Sequence, residues 1–362
     1  MGMKYLYLFF VIISVCRFSS LEAQELNLVY STEFQHNLHG KANWVNLLTV
    51  KGTWPTENAG LWKDGSFDLA TISVFRSSKE RIVDDMQVFS NIDEHTLLVN
   101  LFIAGYTHRI NRIRMFLGVR NMNEDYFNIP YSSLFTNSSC GVYPTISCNY
   151  ICANYPLSAM CFFSEVKITN QLTYTNSLYN GVAYDIWHDG CKLFSINPKR
   201  DGVMNVGELA FSTGVQYQSR YHLGGLFHTG HLNPEENNRR MPFNYVGWLL
   251  AEQDVYVGEK EKIGLLAQAS FAPENKNYCY SYIGAGVVAS GLFSASKKDK
   301  LGLMVNSARF ADVRETTAEL TWSVPVSKYM VLQPAFHWIQ TGEDIYTIGM
   351  LRAVFNIGFP RK

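Results

Sequence analysis

Apolar and polar side chains alternate with a period of two residues through much of this chain. The clearest example runs from Glu315 to Val324, where Ala318, Leu320 and Trp322 share one side and polar residues occupy the other. Successive side chains of a β-strand point to opposite faces, so this pattern predicts a strand with one apolar and one polar face. The same alternation recurs at residues 97–104, 112–120 and 351–359. Helical periodicity is hard to find after residue 24, and the sequence therefore predicts an all-β protein.

Two all-β architectures fit such alternation, and they differ in what the apolar face meets. In a soluble sandwich it packs against a second sheet, whereas in an outer-membrane barrel it faces lipid and the polar face lines the lumen. The strand-like stretches run about 9–11 residues, which is the length of a tilted membrane strand. Aromatic residues lie near their ends, as in interfacial girdles, and the chain finishes in an alternating strand. We therefore predict a transmembrane antiparallel barrel, with a sandwich as the alternative.

Chain length sets the expected size of the barrel. About 16 strands of roughly 10 residues use about half of the chain, and the rest supplies short periplasmic turns and long extracellular loops. A barrel of this size leaves a water-filled channel, whereas plugged barrels of about 22 strands need a longer chain. We expect a single barrel domain over residues 24–362.

Charge and composition exclude other classes of protein. The chain balances 31 Lys and Arg against 31 Asp and Glu, so it lacks the basic excess of a nucleic-acid-binding protein. Aromatic residues make up 14 % of the chain, which argues against a disordered protein.

The N-terminus has the pattern of a secretory signal peptide. Lys4 precedes an apolar stretch from Tyr5 to Val15, and Ala23 provides a small residue at the expected cleavage site. The apolar stretch is too short for a membrane anchor. We expect residues 1–23 to direct export.

The cysteines of the exported chain are even in number. They are Cys140, Cys148, Cys152, Cys161, Cys191 and Cys279. An even number of cysteines in an oxidising compartment favours disulfides, although six cysteines permit 15 pairings. The CxxxC spacing of Cys148 and Cys152 has no partner motif for zinc. We expect disulfides to brace the loop that holds four of them.

From about residue 28 to its end, the chain resembles the carbohydrate-selective outer-membrane porins of the OprB type. The resemblance rests on the order and spacing of several motifs. Among these are Leu61-Trp62-Lys63-Asp64-Gly65, Asp85-Met86-Gln87-Val88-Phe89-Ser90-Asn91, Leu117-Gly118-Val119-Arg120-Asn121, Tyr221-His222-Leu223-Gly224-Gly225 and Val331-Leu332-Gln333-Pro334. The resemblance implies a barrel of 16 strands, through which sugars diffuse across the outer membrane. It implies no cofactor, contact with outer-membrane lipid and lipopolysaccharide, and a monomer or a homotrimer.

Strand parity selects the charged and polar residues that should face the lumen. Arginine donates and carboxylates accept hydrogen bonds, so both together suit a neutral solute rich in hydroxyls. The candidates for the pore lining are Arg112, Arg114, Arg120, Glu124, Asp125, Glu165, Lys167, Glu208, Glu315, Glu319, Gln333, His337 and Arg352. The alternative for each of them is a solvated side chain or an ion pair within the wall.

A long segment after Arg120 is the candidate for a constriction. Residues 121–160 are expected to fold inward and narrow the channel. Arg120, Glu124 and Asp125 lie where this segment begins, so among the candidates we expect these three to contact the solute. The sequence contains no GxSxG or HExxH motif, so it does not support catalysis. A general non-selective porin and a non-channel carbohydrate-binding β-protein of the envelope remain as alternatives.

Overall fold

The computed structural model describes residues 25–38, 40–233, 239–294 and 296–360. In these residues sixteen antiparallel strands form a closed barrel, and two further short strands form a hairpin outside it. The strands are β1 (Glu25–Asn37), β2 (Ala42–Pro55), β3 (Gly65–Arg76), β4 (Leu97–Ile110), β5 (Ile113–Arg120), β6 (Ala159–Lys167), β7 (Leu172–Asn180), β8 (Val203–Thr213), β9 (Ser219–His228), β10 (Leu232–Asn233), β11 (Arg239–Arg240), β12 (Asn244–Val257), β13 (Lys262–Phe271), β14 (Cys279–Ser290), β15 (Lys300–Phe310), β16 (Arg314–Pro325), β17 (Met330–Thr341) and β18 (Asp344–Pro360).

Pairing of the first and last strands closes the barrel. β1 and β18 are antiparallel, and their register runs from Glu25 opposite Pro360 to Asn37 opposite Ile348. Closure leaves the sheet without an edge, as a strand-built membrane protein requires because lipid offers no hydrogen bonds. The prediction of a 16-stranded barrel is confirmed, and the sandwich is excluded. The predicted signal peptide lies outside the described residues.

Side-chain parity is as the alternation predicts. On β16, Glu315, Thr317 and Glu319 point into the barrel and are almost fully buried, whereas Leu320 points outward and is 47 % exposed. Phe336 on β17 and Leu351 on β18 are similarly exposed on the outside. This apolar exterior is the surface that a barrel presents to hydrocarbon. Among the described residues no helix has the length and apolar character to cross a membrane.

The connections at the two ends of the barrel differ in length. One end has short turns, such as residues 111–112, 168–171 and 326–329. The other end carries the long connections 77–96, 121–158, 181–202 and 229–243. These connections contain most of the helical turns. The 3₁₀ turns there are Met122–Glu124, Ser132–Leu134, Ser138–Cys140 and Gly190–Phe194, and the α-helix α1 is Pro144–Ser147. Two further 3₁₀ turns, Thr56–Ala59 and Glu274–Lys276, lie in other connections.

Two of the long connections fold back into the barrel. We call them loop A (residues 77–96) and loop B (residues 121–158). Phe127 of loop B packs against Trp248 of the wall with ring centroids 5.2 Å apart, and Tyr143 stacks on Tyr282 at 5.1 Å. Each fully buried aromatic side chain stabilises such packing by about 1.5–3 kcal/mol. The interior is therefore filled by loop side chains over part of its section, and loop A is an inward loop that the sequence did not reveal.

The structure does not contain the disulfides that the sequence led us to expect. All six cysteines are free thiols, and they lie on different elements. Cys140 is buried and accepts a hydrogen bond from Asn306, whereas Cys148 lies 3.7 Å from the carbonyl oxygen of Met86. Burial raises the pKa of Cys148 to about 11, which makes its thiol a poor nucleophile. Loop B is held by packing and polar contacts instead.

Candidate functional site

The predicted pore-lining residues fall into two groups inside the barrel. Five of them, Glu315, Glu319, Gln333, His337 and Arg352, lie on β16 to β18 and are at most 8 % exposed because loops A and B cover them. Arg114, Arg120, Glu124, Asp125 and Glu165 lie together on the opposite side, around β5, β6 and the start of loop B. The first group holds the loops, whereas Arg114 and Arg120 of the second group border a cavity.

Glu315 holds loop A by its backbone. Its two carboxylate oxygens accept hydrogen bonds from the backbone N–H groups of Met86, at 2.9 Å, and Gln87, at 2.7 Å. Thr341 on β17 donates a third hydrogen bond at 2.7 Å. Hydrogen bonds to a charged group contribute about 1.5–3 kcal/mol each, so this carboxylate fixes the tip of loop A.

Two further glutamates hold loop B in the same way. Glu319 accepts hydrogen bonds from the backbone N–H groups of Thr136, at 2.8 Å, and Asn137, at 3.0 Å. Glu252 on β12 accepts hydrogen bonds from the backbone N–H groups of Tyr131, at 2.7 Å, and Ser132, at 3.0 Å. Glu252 was absent from our candidates, although it shares a strand face with other inward residues and parity could have found it.

Arg352 joins the wall to loop A from the neighbouring strand. It donates to Glu33 on β1 and, at 2.6 Å, to the side chain of Asn91. Glu33 also accepts a hydrogen bond at 2.6 Å from Ser90. The charge of Arg352 is thus neutralised inside the wall.

Gln333 and His337 complete this side of the wall. Gln333 donates to the backbone carbonyl of Leu134 at 2.7 Å, and His337 lies 3.1 Å from the hydroxyl of Thr136. These contacts make the five residues anchors of the inward loops, and we do not assign them to solute contact.

A cluster of arginines and carboxylates positions the start of loop B. Arg120 forms a bidentate pair with Asp125, at 2.5 and 2.7 Å, and the Asp125 side chain is fully buried. Arg114 lies 3.4 Å from Asp125 and 3.0 Å from Glu165. Its guanidinium carbon is 4.6 Å from the ring centroid of Phe163, an arrangement that favours the cation. Arg120 and Asp125, both among the predicted solute contacts, therefore bind each other in the structure.

An ion pair joins the wall to loop B beside this cluster. Lys51 on β2 lies 2.6 Å from Glu124, and the two side chains are 41 % and 25 % exposed. Lys51 was not among our candidates, because β2 does not alternate as regularly as the strands from which they were chosen. It is the cation with which Glu124 pairs.

Two cavities lie on either side of the 3₁₀ turn Met122–Glu124. A cavity of about 470 Å³ opens near the short-turn end, and Lys51, Asp68, Arg109, Arg114 and Arg120 border it. A second cavity of about 290 Å³ lies between loops A and B, with Gln87, Asn91 and Asn123 in its wall. Arg120 borders the first cavity and Asn123 borders the second. These two residues are three positions apart, so the start of loop B lies at both cavities.

The remaining candidates occupy less central positions. Glu208 is buried in the wall, where it contacts His222 at 2.8 Å and accepts a hydrogen bond from Trp248 at 3.0 Å. Arg112 lies in the β4–β5 turn and donates to the carbonyl of Ile168. Lys167 is exposed at the end of β6.

Loop A contains a carboxyl group with a shifted pKa. Burial, and secondarily the nearby carboxylate of Glu315, raises the pKa of Asp85 to about 7. One of its oxygens accepts a hydrogen bond from the backbone of Phe89 at 2.6 Å, whereas the other has no partner among the described residues. A proton at that oxygen removes the cost of burying the charge.

A closed 16-stranded barrel with an apolar exterior and a charged interior narrowed by loops defines the class of outer-membrane porins. The chain belongs to the carbohydrate-selective porin family, OprB, whose sequence profile matches residues 53–348. Members of this family are channels of the bacterial outer membrane, and this one is an outer-membrane porin for carbohydrates.

Solved structures agree with this fold. The high-pH structure of Pseudomonas putida OprB is 17 % identical with a TM-score of 0.79, over 92 % of this chain and 94 % of that one. Its low-pH structure is 15 % identical with a TM-score of 0.63, over 99 % and 98 %. OmpT of Vibrio cholerae, in a loop L8 deletion mutant, is 9 % identical with a TM-score of 0.57, over 92 % and 98 %. No curated protein matches the chain.

Proposed function

We propose that neutral carbohydrates cross the barrel by diffusion along a passage that joins the two cavities beside the turn Met122–Glu124. Loop B forms the constriction of this passage, as the sequence led us to expect for residues 121–160, and loop A forms part of its wall. One observation carries the proposal. Lys51 and Glu124 form a half-exposed ion pair between the wall and that turn.

The charges around the larger cavity suit a neutral, hydroxyl-rich solute. Four cations line this cavity, and four carboxylates balance them, so a solute meets donors and acceptors without a strong net field. The cations are Lys51, Arg109, Arg114 and Arg120, and the carboxylates are Glu25, Glu57, Asp64 and Asp68. Arg120 and Asp125 satisfy each other and are buried, so they position the turn. The solute contacts that we propose are Lys51, Arg114, Glu124 and Glu165.

Outward-facing residues support contact with lipid. Phe162, Leu178 and Leu223 are about half exposed on the barrel exterior, where hydrocarbon would cover them. We propose outer-membrane lipid as the partner of this surface.

Liposome swelling tests the proposed selectivity. Proteoliposomes are diluted into isosmotic solutions of neutral sugars and of amino acids of equal size, and the swelling rates are compared. We expect the sugars to enter faster than the amino acids. The lining exchanges hydrogen bonds with sugar hydroxyls, whereas the separated charges of an amino acid zwitterion are repelled by lining groups of the same sign. Equal rates for both solutes would instead indicate a general porin, and an absence of swelling would contradict a channel.

A further inference from the structure

Two histidines on different long loops lie side by side at the long-loop end of the barrel. His95 belongs to loop A, and His188 belongs to the β7–β8 connection, residues 181–202. Their ring centroids are 6.1 Å apart with an angle of 56° between the planes. Their side chains are 51 % and 68 % exposed, so both rings are open to the medium.

Each ring is oriented by a carboxylate at the same nitrogen. Nδ1 of His95 lies 2.9 Å from Glu94, and Nδ1 of His188 lies 2.7 Å from Asp185. Each carboxylate also accepts a hydrogen bond from the backbone N–H of its own histidine, at 2.9 and 2.7 Å. With Nδ1 donating to a carboxylate, Nε2 carries the lone pair, and no described residue forms a hydrogen bond with it. This is the arrangement that prepares a histidine as a metal ligand.

The same strand fixes both segments. His95 lies two residues before β4, and the indole N–H of Trp187 donates to the carbonyl of Val99 on β4. The backbone N–H of Ile186 donates to the side chain of Asn100 at 3.0 Å. Contacts with β4 therefore place both segments next to each other, and the two rings meet between them.

From this geometry we infer that His95 and His188 together bind a divalent transition-metal ion such as Zn²⁺ through their Nε2 atoms. A zinc–nitrogen bond of about 2.1 Å places the metal about 3.2 Å from each ring centroid, so tetrahedral geometry puts the two centroids about 5.3 Å apart. The observed 6.1 Å exceeds this separation by about 0.8 Å, a difference that rotation of the two exposed side chains can close.

Two ligands from the protein imply that water supplies the remaining coordination. Within the described part of the chain, no group of three or more His, Cys, Asp or Glu side chains is placed to hold a metal. Glu94 and Asp185 add negative charge next to the rings, although Arg81 lies 4.0 Å from Glu94 and offsets part of it. A bound ion would tie loop A to the β7–β8 connection at the outer mouth of the barrel.

A second pair of neighbouring histidines does not present two free Nε2 atoms to a metal ion. The rings of His228 and His231 are 5.5 Å apart. However, Nε2 of His228 contacts the carbonyl of Gly181 at 2.8 Å, and Nδ1 accepts a hydrogen bond from the backbone of Gly230 at 2.9 Å. Both ring nitrogens of His228 are therefore occupied by hydrogen bonds. This pair has similar ring spacing but no free Nε2 on His228, so it provides a matched control for metal binding.

Calorimetric titration of the purified, tag-free porin with ZnCl₂ at pH 7.5 tests the inference. We expect one site in the parent protein and an affinity at least about tenfold weaker in His95→Gln and in His188→Gln, because each variant removes one of two ligands. His231→Gln should bind as the parent does. Since both substituted rings are exposed, the variants should keep the fold, which heat-modified gel mobility verifies.

Electron paramagnetic resonance with Cu²⁺ identifies the ligands directly. The parent should show coupling to two imidazole nitrogens, and each single variant should show coupling to one. The inference is overturned if the parent does not bind, if the two variants bind Zn²⁺ as tightly as the parent, or if only His231→Gln loses binding.

Discussion

Three glutamates of the barrel wall fix the inward loops by one repeated contact. Glu252, Glu315 and Glu319 each accept hydrogen bonds from two successive backbone N–H groups of a loop. A loop that leaves its strands needs partners for such buried N–H groups, and a carboxylate satisfies two at once. Glu315 and Glu319, which strand parity suggested for the solute, therefore hold the inward loops together with Glu252.

Substitution of Glu319 should loosen loop B locally. Glu319→Gln replaces one acceptor oxygen by an amide that faces the N–H of Thr136 or Asn137, which costs about 2 kcal/mol. Hydrogen exchange at these two amides should then accelerate by about 30-fold, as about 2 kcal/mol implies. Glu343→Gln in the exposed β17–β18 turn is the control. Unchanged protection in Glu319→Gln would show that the carboxylate does not hold the loop.

Charge at the constriction should set the ion preference of the channel. Lys51→Met leaves Glu124 unpaired and should shift the reversal potential in a KCl gradient towards cation preference, whereas Glu124→Gln should shift it towards anions. A single half-exposed charge is worth about 1 kcal/mol, which is up to about fivefold in relative permeability.

The double variant serves as the matched control for this pair. Lys51→Met with Glu124→Gln should restore the ion preference of the parent, because the net charge is again balanced. Reversal potentials identical to the parent's in both single variants would place the passage elsewhere.

Asp85 should make the stability of loop A depend on pH. Its folded pKa, about 7, lies above the unfolded value of 3.8, so the folded loop binds the extra proton between these values. Stability is therefore greatest below about pH 4 and decreases as the pH rises to about 7. Hydrogen exchange of loop A, corrected for the intrinsic rate, should show this decrease in the parent and a flat profile in Asp85→Asn. If the stability of loop A in the parent protein instead increased from about pH 4 to about pH 7, that result would contradict the raised pKa of Asp85.

At the level of elements, the strands follow from the sequence and the loop positions do not. Alternation alone indicates β16 and β18, because side chains of opposite character at successive positions are sufficient to define the two faces. Loop A was missed because Glu315 holds Met86 and Gln87 across more than two hundred residues. No local pattern in a sequence encodes a contact between such distant segments.

The cysteines show the same distinction between local and distant information. Their even number predicts pairing, whereas the fold places Cys140 and Cys161 in separate buried environments. Denatured, unreduced protein treated with an alkylating reagent should therefore react at all six thiols of the mature chain. Cys191 alone is exposed and should react rapidly in the native state. Fewer than six modified thiols without reduction would show that a disulfide forms.

For the whole molecule, the apolar exterior and the charged interior of the barrel determine its function, because the first faces lipid and the second faces the lumen. On β16 the charged candidates Glu315 and Glu319 lie inside, as the alternation predicts, whereas Lys167 is exposed at the end of β6. The resemblance to the porin family supplied the function. Which of these residues border open space depends on how loops A and B fill the lumen, and that packing involves side chains from many strands. The sequence therefore indicated the channel and an inward loop at residues 121–160, but not which side chains border the open space.

Ion current through single barrels in a planar lipid bilayer tests the central claim most directly. Purified protein should insert and produce discrete conductance steps, because water fills the passage between the two cavities. Addition of a neutral sugar should reduce each step in a concentration-dependent manner, since a sugar beside Lys51 and Glu124 displaces ions from the constriction. Insertion without conductance steps, or steps that sugar leaves unchanged, would contradict a carbohydrate passage through the lumen.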